Sequence, residues 1–152
     1  MTSLEIKGAT QADIPRLIEI RHAAFSKHAP TAYSAQEVEA LLGDVDEREL
    51  TEMIKNHRLF VARKENKVVG LAGWMGSRLR HVYVDPAQTR QGIATKLLDH
   101  VEKVFQERTH AKKIKAGVAL HAESFYASNG YEVVSQEEAW DGSEYLEMVK
   151  RF

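Results

Sequence analysis

The stretch Val82-Tyr83-Val84-Asp85-Pro86-Ala87-Gln88-Thr89-Arg90-Gln91-Gly92-Ile93-Ala94-Thr95-Lys96-Leu97-Leu98 decides how this chain is read. It begins as a strand, breaks at Asp85-Pro86 into a turn rich in hydrogen-bonding groups, and resumes at Gly92 as a long amphipathic helix. A helix that starts this way leaves its first backbone N–H groups without intrahelical partners, all pointing one way. With the positive end of the helix dipole they form a site for an anion, most often a phosphate. The same letters also fit an ordinary strand–loop–helix connection with a solvated loop, since short glycine motifs are weak signals.

The bulk numbers narrow the field. A chain of 152 residues predicts one domain spanning residues 1–152. The formal net charge of -1 argues against nucleic acid or an anionic membrane as partner. No cysteine is present, so disulfides, thiolate nucleophiles and Cys-based metal sites are excluded. Seven histidines occur, but no pair has the spacing of a zinc site, and no metal is expected. The N-terminus lacks an apolar h-region and no apolar run approaches about 18 residues, which predicts a soluble, cytoplasmic protein.

Outward from the opening stretch, periodicity predicts a strand over Leu4–Lys7 and a helix after Thr10 carrying Ile14, Leu17, Ile18, Arg21 and Phe25. Residues 26–33 read as a loop. Ser34 and Glu37 form a capping box for a second helix through Val38, Leu41 and Leu42, and a third runs from Asp46 to about Asn56. The period then changes. Leu59–Arg63 and Val68–Trp74 flank Glu65-Asn66-Lys67 as a hairpin, and Arg78–Val84 is the next strand. After the long helix (Gly92 to about Arg108) come a strand over Ile114–Leu120, a short helix over Ala122–Asn129, and strands at Tyr131–Val134 and Tyr145–Val149. This β-α-α-α-β-β-β-α-β-α-β-β order predicts a mixed α/β fold: a mostly antiparallel sheet flanked by helices, with one βαβ crossover. A ligand is expected beyond the carboxyl end of the crossover's first strand.

Two segments resemble motifs of the GCN5-related N-acetyltransferase (GNAT) superfamily. Thr89-Arg90-Gln91-Gly92-Ile93-Ala94 is similar to its Gln/Arg-x-x-Gly-x-Gly/Ala acetyl-CoA motif. Ala122 to Tyr131, with Phe125-Tyr126 and Gly130-Tyr131, is similar to its Ala-x-x-Phe-Tyr-x-x-x-Gly-Phe/Tyr signature. The resemblance implies a GNAT-like fold and acetyl-CoA as co-substrate. Its pyrophosphate would rest on Thr89, Arg90, Gln91, Gly92, Ile93, Ala94 and Thr95, with Arg90 or Lys96 adding charge. Its pantetheine arm would lie along Val82, Tyr83 and Val84, which needs a splayed sheet beside Val84. Tyr126 matches the residue that many relatives use as general acid toward the CoA thiolate. The implied function is acetyl transfer to a primary amine of a small molecule or peptide by direct attack; the other reading is a non-catalytic acyl-CoA-binding sensor or interaction module. A homodimer is left open.

Three departures from the motifs bear on the site. Thr89 stands where relatives carry Gln or Arg, forfeiting about 1.5–3 kcal/mol unless another group replaces the contact. Ala119 replaces an Asn that often touches the cofactor. Arg78 and Arg80 occupy positions where some relatives place a base, and arginine stays protonated. These two either bind an anionic group of the acceptor or belong to a salt-bridged strand face, and the amine proton goes to water or another residue. His81 is expected to alternate away from Arg80; His121, His22 and His28 are outside candidates for the base. Trp74, with Phe25, Tyr33 and Met75, either lines an acceptor pocket or belongs to the core.

Overall fold

The computed structural model describes residues 3–28, 47–89, 91–139, 142 and 144–152. Strand β1 (Leu4–Gly8) leads through a short 3-10 turn into helix α1 (Ile14–His28). Asp13 fixes that entry: its carboxylate accepts from the Thr10 N–H at 2.9 Å and from Arg63 at 2.6 Å. Residues 26–28, expected in a loop, continue α1 instead. The Ser34–Glu37 capping box and the helix through Leu42 lie outside the described residues. Helix α2 covers residues 47–55.

Strands β2 (Leu59–Lys64) and β3 (Lys67–Met75) form the expected hairpin. Its turn residues Glu65 and Asn66 both have positive φ, 53° and 64°. Such a two-residue turn matches the right-handed twist of its strands. Strand β4 (Arg78–Val84) follows, then helix α3 (Ile93–Thr109), β5 (Lys113–Ala119), α4 (Glu123–Ser128), β6 (Glu132–Glu138) and β7 (Glu144–Arg151).

These strands form one seven-stranded sheet in the order β1-β2-β3-β4-β5-β7-β6. Every neighbouring pair is antiparallel except β4–β5. Helix α3 lies on one face, where Leu97, Leu98, Val101 and Phe105 meet Phe60, Trp74, Ile114 and Met148. Helices α1 and α2 cover the other face, where Leu17, Ile20, Leu50 and Met53 meet Leu59, Val61, Val68 and Leu71. That second cover reaches only the β2–β4 half. On β5 the residues Ile114, Ala116 and Val118 face the α3 core, while Lys113, Gly117 and Ala119 are exposed. Among the described residues, helices α1 and α2 thus make a sandwich of that half of the sheet and leave the other half covered on its α3 face alone. No helix among the described residues is long and apolar enough to cross a membrane.

Candidate active site

The boundary between the two halves runs between β4 and β5. The two strands share a single registered pair, Arg78↔Lys115, and the Lys115 N–H donates to the Ser77 carbonyl at 2.9 Å. Beyond that point the strands part, so among the described residues Val82, Tyr83 and Val84 have no strand neighbour on their β5 side. Parallel strands that separate leave backbone N–H and C=O groups in need of partners. The strands thus splay beside Val84.

A clamp closes the lower end of this split. Arg78 crosses β5 and pairs with Glu147 of β7 through both guanidinium nitrogens, one at 3.0 Å. A Cβ at Gly117 would lie 3.3 Å from the Arg78 guanidinium; the missing side chain gives Arg78 its path. The Glu147 hydrogen bond raises the Arg78 pKa further, so its charge is permanent. Arg80 pairs with Glu49 of α2 at 2.7 Å. Both arginines thus lie on salt-bridged strand faces.

His81 is where the chain departs most from simple alternation. The β3–β4 register slips between Leu71 and Gly73, giving β4 one extra residue, and His81 has a φ of 59°. This bulge turns His81 to the same side as Arg80. Its Nε2 lies 2.9 Å from the second oxygen of Glu49, and its Nδ1 meets the guanidinium of Arg21. Because guanidinium only donates, Nδ1 accepts and Nε2–H points at Glu49. The His81 hydrogen bond, aided by Arg80, holds the Glu49 carboxyl down at about 2 against the opposing effect of burial. Beyond the bulge, Val82 and Val84 pack toward α3 and Tyr83 toward α1, with Arg21 stacked over the Tyr83 ring at 5.0 Å.

At the upper end, the β4–α3 turn is braced from below. Asp85 accepts from the Ala87 N–H at 3.0 Å and from Arg16 of α1 at 2.7 Å. Gln91 takes a hydrogen bond from Lys64 at 2.7 Å and donates to Gln88 at 3.2 Å. The Thr89 hydroxyl turns back to the Pro86 carbonyl at 3.4 Å. Arg90 lies outside the described residues. Gly92 has a φ of 74°, no side chain caps the start of α3, and its first turn holds no acidic residue. The first intrahelical bond is Lys96 N–H to Gly92 C=O, leaving the N–H groups of Ile93, Ala94 and Thr95 directed outward. A cavity of about 300 Å³, lined by Lys64, Lys67 and Gln88, sits on the hairpin side of this turn rather than in the split.

Tyr126 is close enough to Tyr83 of β4 to feel its charge. It lies on α4, which follows the end of β5, and its ring meets Phe125 and Tyr131 edge-on at 5.2 and 5.4 Å. Burial, with a smaller contribution from Tyr83, pushes its phenol above the usual value of 10. Trp74 is elsewhere: it is 1% exposed in the α3-side core, stacked on Phe60. Met75 pairs with Arg78 at the closed end of β4. The side chain of Phe25, and Tyr33 as a whole, lie outside the described residues.

Sequence reasoning missed Glu49, Glu147 and Glu102. Glu102 carried a signal, for it falls on the same helical stripe as Leu98, Val101 and Phe105.

A strand pair that parts at one end thus leads into a helix start without a side-chain cap, with Tyr126 near Tyr83. The family model described as an acetyltransferase (GNAT) domain matches residues 30–152. The chain belongs to the GNAT acetyltransferase family. This acetyltransferase is 26% identical over 137 residues to the protein named uncharacterized N-acetyltransferase YafP of Escherichia coli (strain K12), covering 90% of this chain and 87% of that one. Its fold matches the GCN5-related N-acetyltransferase of Rhodopseudomonas palustris with a TM-score of 0.84 at 20% identity, over 99% of this chain and 96% of that one. It also matches the PaiA N-acetyltransferase of Thermoplasma acidophilum, solved in complex with coenzyme A, with a TM-score of 0.77 at 21% identity and 99% coverage of both chains. A third match is YncA of Salmonella typhimurium with its cofactor acetyl-CoA, at a TM-score of 0.73 and 22% identity over 98% of this chain and 94% of that one.

Proposed function

We propose that this acetyltransferase uses acetyl-CoA to acetylate a primary amine of a small molecule or peptide by direct attack, with Tyr126 as the acid at the departing sulfur. The observation that carries the proposal is the split above Arg78↔Lys115, which ends at the uncapped start of α3, with Tyr126 near Tyr83 of β4. The pyrophosphate would sit on the N–H groups of Gly92, Ile93, Ala94 and Thr95, beside Thr89, Arg90 and Gln91. The pantetheine amides would pair with the free edge of Val82, Tyr83 and Val84, substituting for a missing strand. The amine nitrogen bonds to the thioester carbon, the C–S bond breaks, and the sulfur leaves with its electron pair.

Burial raises the Tyr126 pKa, so the phenol holds its proton at every working pH. It stabilises the departing thiolate by donating a hydrogen bond while keeping its proton, because a thiol near pKa ~8.5 is the stronger acid of the two; such help is worth about 10²–10⁴-fold. Glu49, held near pKa 2, is too weak a base for an ammonium, and both His81 nitrogens are engaged. Among the described residues neither is suited to take the amine proton, which supports its passage to water. Arg78 and Arg80 each already carry a carboxylate, which favours a structural role for them over capture of an anionic acceptor.

Thiol release from acetyl-CoA against a panel of amino acids, polyamines, aminoglycosides and peptides tests the proposal. Tyr126→Phe is expected to lower kcat by roughly tenfold or more while leaving acetyl-CoA affinity within about twofold. Tight acetyl-CoA binding with no thiol release, with or without an amine, would instead support the sensor reading.

A further inference from the structure

The core holds one buried carboxylate that the proposed chemistry does not use. Glu102, in the middle of α3, is 5% exposed within an otherwise apolar stripe. One of its oxygens accepts from the Tyr131 hydroxyl at 2.8 Å, the other from the Lys150 ammonium at 2.8 Å. A buried charge persists only when it is paired and hydrogen-bonded, and apolar residues of similar size in place of the whole Glu102–Tyr131–Lys150 group would cost the fold little. Its position therefore invites a reason beyond stability.

That reason is visible on the far side of Tyr131. The Tyr131 ring is 2% exposed and packs edge-on against Tyr126 at 5.4 Å. The Tyr131 N–H also donates to the Tyr126 carbonyl at 3.0 Å. Backbone and ring of Tyr126 are thus both held by Tyr131, whose own freedom is removed by Glu102. Lys150 completes the bracket. Its stem passes Gly130, whose Cβ would come within 3.2 Å of it, and its ammonium lies 5.8 Å from the Tyr131 ring centre. Three elements (α3, the α4–β6 link and β7) converge on one tyrosine, which in turn fixes another.

We infer that Glu102 and Tyr131 are positioning residues for Tyr126, with Lys150 holding the Glu102 carboxylate in place. The inference rests on the proposed acid role of Tyr126. The phenol must point at a sulfur atom within hydrogen-bond reach, and α4 is a helix of only six residues, too short to fix its own orientation in water. An ångström of drift at a reacting group costs rate without loosening the remote parts of the substrate. The Glu102 anchor reaches Tyr126 through rigid rings instead of a flexible link.

The test is a set of kinetic cycles, using acetyl-CoA with the best acceptor of the amine panel and, as a second probe, acetyl-CoA hydrolysis without acceptor. Tyr131→Phe keeps the ring and leaves Glu102 paired with Lys150. It is expected to lower kcat about tenfold while KM for acetyl-CoA stays within about twofold. Glu102→Gln retains an oxygen for the Tyr131 hydroxyl and is expected to stay within about threefold of the parent, whereas Glu102→Ala matches Tyr131→Phe. In a Tyr126→Phe background, Tyr131→Phe should produce no further fall, since the residue it positions no longer acts. Parental kcat in Tyr131→Phe overturns the inference, as does a Tyr131→Phe effect that multiplies fully with Tyr126→Phe. Parental kcat in Tyr126→Phe alone overturns the acid reading itself, a failure distinguishable because it arises in the single variant.

Discussion

At the scale of single residues, Glu49 does more than its place on a short helix suggests. One carboxylate holds Arg80 and His81 together and so fixes the β4 bulge at the edge of the split. Its pKa is held at about 2, chiefly by the His81 hydrogen bond, against an ordinary value of 4.5. A depressed carboxyl pKa adds stability that is complete above the unfolded value and drains away as pH falls toward the folded one. Glu49→Gln should therefore lower Tm at pH 7 by roughly 3–6 °C, the equivalent of about one to two kcal/mol at this chain length. The gap between variant and parent should close as pH is lowered from about 4.5 toward 2, as followed by calorimetry. Tyr126 gives the opposite limb. With its phenol pushed above 10, the kcat profile should show no alkaline loss attributable to Tyr126 below pH 10. Its position was legible from Phe125-Tyr126 and Gly130-Tyr131, whereas Glu49 was not, because nothing in local spacing says which strand a helix will cover.

At the scale of elements, β4 carries the most. Its lower end is pinned to β5 and β7, its middle is bulged, and its upper end stays paired with β3 while it parts from β5. Arg78→Ala removes the pin and leaves Glu147, 19% exposed, without its bidentate partner, which should cost about 1–3 kcal/mol. The amide of Lys115, bonded to the Ser77 carbonyl at the one β4–β5 contact, should then exchange with solvent measurably faster than in the parent. Unchanged exchange there would remove Arg78 from control of the split. The β2–β3 hairpin and the start of α3 were readable in advance, since Glu65-Asn66 and Gly92 sit at turns whose dihedrals only certain residues tolerate. The His81 bulge was not readable. A strict two-residue period turned His81 away from Arg80, and the extra residue shows only when β4 is laid against β3.

At the scale of the whole molecule, one sheet separates two cores, so both should be lost together. Leu97 in the α3-side core and Leu71 in the opposite core are each fully buried. Leu97→Ala and Leu71→Ala should each cost about 2–5 kcal/mol. Both should unfold in a single transition in urea, with tryptophan fluorescence and circular dichroism coinciding; two transitions would mean that the cores are independent. The order of the described elements, the mixed sheet and the family were determined by the sequence alone, because hydrophobic periodicity, turn residues and two short motifs are local properties. Where the sheet opens, which carboxylate satisfies each arginine, and that Trp74 belongs to the core were decided only by tertiary structure. Those outcomes depend on pairings such as Arg78–Glu147 and Tyr131–Glu102, 69 and 29 residues apart in the chain. No local pattern encodes such pairings, and folding selects them by burial and charge together.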